Sequence, residues 1–130
     1  MSEAMPPTID PAKRGATLPS DPPEGPVTLI NSFVVDPRRD EAFEALWTQT
    51  SVYFRGRPGF VGLRLHRAVS PDATYRYVNV AVWESAAQFA AAHATEEFRQ
   101  VVGQPGWREF PSSPTLFEVA IAYDAQPIAR

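Results

Sequence analysis

The chain has 130 residues, 44% of them apolar, which is one domain's worth of sequence with enough material for a real core. A formal charge of −3 with no basic stripe in either half argues against nucleic acid or an anionic membrane as partner. The lack of cysteine excludes disulfides and a thiolate nucleophile, and two histidines are too few for most histidine-rich metal sites. No apolar run approaches the ~20 residues of a membrane helix and the N-terminus has no secretory h-region, so the expected location is cytoplasmic.

Residues 1–26 hold seven of the fourteen prolines and almost nothing that could build a core. Such composition cannot offset the entropy of ordering, so a flexible or extended arm is expected, dispensable for stability and turnover. The fold should span 27–123, with 124–130 a polar tail. Residues 27–35 alternate as a first strand, closed by Asp36-Pro37, a turn and helix-start pair. Over 37–55 the positions Phe43, Leu46, Trp47, Thr50 and Tyr53 or Phe54 recur at three and four, one buried stripe of an amphipathic helix. Asp40, Glu41 and Glu44 suit its N-terminal dipole, and Arg57-Pro58-Gly59 ends it.

Residues 60–69 form a second strand, with Val61, Leu63 and Leu65 on one side and Gly62, Arg64 and His66 on the other, the latter a solvated or dimer-facing set. A proline-containing turn at 70–74 leads into a third strand at 75–84, so the two make a hairpin. Ser85 is placed to cap an alanine-rich helix carrying Phe89 and His93, and Thr95 to cap a short one carrying Phe98, Val101 and Val102. Trp107 and Phe110 ride on a loop, and 115–123 alternate as a last strand. The order is βαββαβ with the second helix broken. That is an α+β, ferredoxin-like pattern with a four-stranded antiparallel sheet, in which the first and third strands are central neighbours.

One face of the third strand carries Val78, Val80 and Val82; the other carries Tyr75, Tyr77, Asn79, Ala81 and Trp83. A primary amide among aromatics on a central strand costs a few kcal/mol if unpaired, so it must find a partner or line a polar pocket. Asn31 interrupts the odd face of the first strand in the same way. If the two faces coincide, two carboxamides converge. Each residue also has an ordinary reading: the asparagines as structural hydrogen bonders, Trp83 as packing, His93 as a satisfied half-buried histidine, Arg99 as a helix-surface charge.

The stretches Val27-Thr28-Leu29-Ile30-Asn31-Ser32-Phe33, Arg57-Pro58-Gly59-Phe60 and Tyr77-Val78-Asn79-Val80-Ala81-Val82-Trp83-Glu84 resemble the antibiotic biosynthesis monooxygenase family of dimeric ferredoxin-like proteins. The Pro-Gly-Phe turn and the Trp-Glu pair speak for the fold. Asn31, Asn79 and Trp83 together are narrower, resembling the quinone-forming, anthrone-type members of aromatic polyketide pathways. The resemblance implies those three as a catalytic set. Against haem-degrading members, Ala92 stands at the tryptophan position and Val101 or Val102 at the histidine position, which disfavours haem cleavage.

No Gly-rich phosphate loop, metal-ligand cluster or Ser/His/Asp arrangement is legible. The resemblance therefore implies an oxygenase that oxidises an electron-rich anthrone, phenol or dihydroquinone with dioxygen and no metal or bound cofactor. Asn31 and Asn79 would hold the developing oxyanion, Trp83 would sit by the ring or the oxygen species, and His93 would accept the proton. Phe33, Tyr77, Phe89, Arg99, Trp107 and Phe110 are the expected substrate contacts. Two alternatives stay open: oxidative ring opening with reduced flavin as diffusible cosubstrate, as in angucycline-type pathways, and a non-catalytic dimeric module holding a small aromatic ligand.

Overall fold

Period-two alternation yields four strands, β1 (Val27–Phe33), β2 (Phe60–Arg67), β3 (Tyr77–Trp83) and β4 (Ser112–Phe117). The structure, a computed structural model, describes residues 16–128. The strands form one antiparallel sheet in the order β2-β3-β1-β4, the ferredoxin-like arrangement with the first and third strands central. Residues 1–15 and 129–130 lie outside the described residues, as does that much of the expected arm and tail.

The first connection opens with a 3-10 turn (Pro37–Arg39), capped by the Asp36 carboxylate accepting the Arg38 N–H at 2.9 Å. It continues as α1 (Asp40–Arg55), whose buried residues are Phe43, Thr50, Ser51 and Tyr53. Its end is a tight turn in which the Phe60 N–H donates to the Arg57 carbonyl, with Pro58 and Gly59 at the centre. Gly59 has φ +85, and a Cβ there would meet the Gln88 side chain at 2.4 Å, so both backbone and space demand glycine. The second connection is α2 (Ala86–Ala92) and α3 (Glu96–Val102). Ser85 and Thr95 cap them by accepting the N–H groups of Gln88 and Phe98 at 3.1 and 2.9 Å. Tyr53 ties the two helical connections together, its hydroxyl donating to the Ala92 carbonyl at 2.6 Å.

Cross-strand pairing puts the odd residues of β1 and β3 on the helix-covered face. Thr28, Ile30 and Ser32 lie with Val78, Val80 and Val82 on the other, to which no described helix adds cover. The core is divided. Val27, Trp83, Ala86, Phe89 and Ala92 cluster at one end of the covered face, and Phe33, Val35, Phe43, Tyr77 and Phe110 at the other.

Several expectations are corrected. The last strand begins earlier and ends at Phe117, because Phe117 pairs with Thr28 and β1 has only one residue left to offer. Val119, Ile121 and Tyr123 keep their alternation but lie outside any strand and are exposed. Val61 is also exposed, since a bulge between Phe60 and Gly62 makes it the extra residue and turns Phe60 inward instead. Trp107 belongs to a 3-10 helix (Pro105–Glu109) rather than an irregular loop. Within the expected arm, Leu18 packs on the first core cluster, against the expectation that nothing there packs.

Candidate active site

Asn31 and Asn79 are direct cross-strand partners in the β1–β3 ladder. The sequence puts both on odd faces, and the register brings them opposite each other near the middle of the sheet, where partnered Cα atoms are about 4.5–5.5 Å apart. They sit between the two core clusters, and the gap there is a cavity of about 580 Å3. That volume lies within the ~300–1,000 Å3 of small-molecule sites. Aromatic rings form a large part of its wall, among them Phe33, Trp47, Phe54, Phe60, Trp83, Phe89, Phe98, Trp107 and Phe110.

Three polar atoms of the residues lining this cavity lack partners. The side-chain oxygens of Asn31 and Asn79 and the indole N–H of Trp83 are buried without a hydrogen bond. A buried orphan costs about 1–3 kcal/mol, so three around one cavity indicate a space shaped for a ligand that both donates and accepts. Each carboxamide offers an oxygen to a hydroxyl and an NH2 to a carbonyl or oxyanion.

His93 lines the same cavity from the C-terminal cap of α2. Its ring lies 4.1 Å from that of Phe89, 4.8 Å from Phe98, 5.3 Å from Phe54 and 5.8 Å from Trp83, centre to centre. Its Nδ1 is 2.7 Å from the Phe89 carbonyl. A carbonyl can only accept, so Nδ1 carries the proton and Nε2 keeps a lone pair in the neutral ring. Burial lowers its pKa from 6.5, with the Phe89 hydrogen bond opposing. The imidazole is thus neutral at pH 7, in the tautomer of a base.

Six of the expected site residues besides the asparagines therefore come together: Trp83, His93, Phe33, Phe89, Trp107 and Phe110. Trp107 is held by donating its indole N–H to Thr50 Oγ1 at 3.1 Å. Two do not join them. Tyr77 pairs with Phe33 at the last rung and faces the start of α1, where its hydroxyl donates to Glu44 Oε2 at 2.5 Å. Burial and that carboxylate push its pKa upward. Arg99 is exposed on α3, paired with Glu96 at 2.9 Å.

Tyr77 instead borders a shallow cleft of about 770 Å3 beside Glu44, Arg67 and Arg76. That cleft is polar and its charges are spent: Arg67 pairs with Glu44 at 2.9 Å and Arg76 with Asp40 at 2.6 Å. The aromatic cavity is the better candidate. Sequence reasoning missed Trp47, Thr50, Ser51 and Phe54 on its α1 wall, and Arg108 after α3. The three-and-four stripe of α1 was the available signal for Trp47, Thr50 and Phe54. Among the described residues no group of three or more His, Cys, Asp or Glu side chains converges as a metal site, and no helix is long and apolar enough to cross a membrane.

Comparison with known proteins adds to this geometry. The family model described as "Antibiotic biosynthesis monooxygenase" matches residues 26–104. Deoxynogalonate monooxygenase of Streptomyces nogalater is 35% identical over 81 residues, which span 62% of this chain and 58% of that protein. The crystal structure of SnoaB, a cofactor-independent oxygenase from Streptomyces nogalater, aligns with a TM-score of 0.63 at 31% identity, covering 75% of this chain and 96% of that one. HapK from Hahella chejuensis aligns with a TM-score of 0.59 at 25% identity, covering 77% and 99%.

Proposed function

Because the chain belongs to the antibiotic biosynthesis monooxygenase family, we propose that it oxygenates a polycyclic aromatic substrate of the anthrone, phenol or dihydroquinone type, using dioxygen and neither metal nor bound cofactor. The observation that carries this reading is the facing pair Asn31 and Asn79, set with partnerless carboxamide oxygens in an aromatic cavity. A flat ring system with a hydroxyl beside a ketone answers both the acceptor and the donor of such amides. The likeness to a cofactor-independent oxygenase agrees with it.

The chemistry follows from the side chains. His93 Nε2 takes a proton from the ring methylene or phenol, and the amide NH2 groups stabilise the resulting oxyanion in a cavity lined largely by aromatic rings. The carbanion form gives one electron to dioxygen, and the two radicals combine to form a C–O bond. The hydroperoxide then loses water, so a CH2 group becomes C=O with one oxygen atom incorporated and the other released as water. The unpartnered Trp83 N–H is a donor for the reduced oxygen species.

Two copies associate through the face left open by the helices, which carries Ile30, Val78, Val80 and Val82, with Phe117 and the exposed tail residues beside it. The test of the activity is the purified protein mixed with dithranol, an anthrone, in air. The expected result is catalytic conversion to the quinone without additives, with one oxygen atom from labelled dioxygen. Strict dependence on reduced flavin, or a shifted absorbance without turnover, rejects the proposal.

A further inference from the structure

The family match begins at residue 26, but the wall of the cavity begins earlier in the chain. Ala16 and Thr17 line the same space as Asn31, Asn79, Trp83 and His93. Leu18, the next residue, is half-buried against the cluster built on Val27, Trp83 and Phe89. The segment therefore crosses the Trp83 end of the cavity, with the Leu18 side chain packed on the core beside it.

The connection back to β1 explains how a short segment stays there. Residues 19–26 include Pro19, Pro22, Pro23 and Pro26, each fixing its own φ. Fewer unfolded conformations are lost when such a chain is ordered. Gly25 has φ +91, a left-handed value that L side chains rarely adopt, and it sits two residues before the strand. A stiff return with a permissive joint lowers the cost of ordering the segment, and Leu18 is an apolar anchor for it.

We infer that Ala16–Leu18 is a strap that closes one end of the cavity and sets the size of the ring system admitted. The inference rests on the cavity being the substrate site proposed above. The strap presents small side chains, Ala16 and Thr17, so the space it leaves is set by residues outside the family match. A larger side chain at position 16 shortens the cavity, and loss of the leucine anchor unfastens its end.

The test uses full-length Ala16→Phe and Leu18→Ser with two probes already at the quinone level, two-ring juglone and three-ring emodin, read by quenching of tryptophan fluorescence. In Ala16→Phe, emodin binding should weaken about tenfold or more, with juglone changed less than about twofold. In Leu18→Ser, the preference between the two probes should shrink. Thermal melts check that each variant folds, and Ala16→Leu replaces Ala16→Phe if the latter does not. Wild-type affinities for both probes in both variants overturn the strap. If dithranol is still oxidised by the wild type in that case, the oxygenase reading stands without it. If no protein oxidises dithranol yet Ala16→Phe discriminates between the probes, the strap stands and the oxygenase reading falls.

Discussion

Replacing either facing asparagine separates catalysis from stability in an unusual direction. Each amide is expected to donate a charge-assisted hydrogen bond to the oxyanion, and losing one such donor costs roughly ten- to a thousandfold in turnover, about 1.4–4 kcal/mol. Stability should hardly respond. The oxygens of Asn31 and Asn79 have no hydrogen-bond partner, so truncation to alanine relieves a burial penalty of about 1–3 kcal/mol. The packing lost is of similar size or less, because one side of each residue borders empty space. The net change should stay within about 1 kcal/mol, under roughly 8 °C in melting temperature for a domain of this size. Asn79→Leu, close in volume and without the orphaned carbonyl, should melt higher than wild type. The double alanine variant should lose less activity than the product of the single losses, since both groups serve one step. The assays are initial rates of dithranol oxidation and thermal melts by circular dichroism. Undiminished turnover in Asn31→Ala or Asn79→Ala, or a melting temperature that collapses, refutes the reasoning by making the pair a structural hydrogen bonder.

Three further outcomes are expected. Since the folded-state pKa of His93 is lowered from 6.5, its contribution to stability is complete above that value and is lost as pH falls through the lower, folded pKa. The acid limb of the turnover profile should thus lie below pH 6.5 and disappear in His93→Gln; an acid limb that persists unchanged in the variant assigns the base elsewhere. Trp83→Phe keeps most of the ring contacts with Phe54, Phe60 and Phe89 but removes the unpartnered N–H. It should reduce turnover about tenfold or more with little change in emodin affinity, and equal losses in both would mark the indole as packing. Sedimentation should give a dimer at micromolar concentration, broken by Val80→Glu on the open face; a wild-type monomer removes the pairing.

The fold was legible because its signals are local and repeated: alternation in four strands, a three-and-four stripe in α1, and capping hydroxyls at Ser85 and Thr95. The site was half legible. Alternation placed both asparagines on odd faces but could not supply the register, which depends on how β1 and β3 align across the sheet. The same alternation grouped Tyr77 with Asn79, although two residues of strand carry it to the rung where Glu44 takes its hydroxyl. Leu18 escaped notice because one leucine among prolines has no period, so composition judged the arm as a block. The alternation of 115–123 was real, but no strand remained in the sheet beyond Phe117 for it to pair with.

That Asn31 and Asn79 are partners on one rung makes the site a gauge of folding fidelity. Slipping β1 by one residue against β3 would turn its amide to the open face. Slipping it by two would preserve every inside and outside position yet move the amides about 7 Å apart along the strand. Helix and strand content would be the same in the second case, and circular dichroism could not tell the misaligned molecules from the native ones. Turnover could. In a refolded preparation, the active fraction would count the molecules in which all seven rungs between Val27–Trp83 and Phe33–Tyr77 had closed in register.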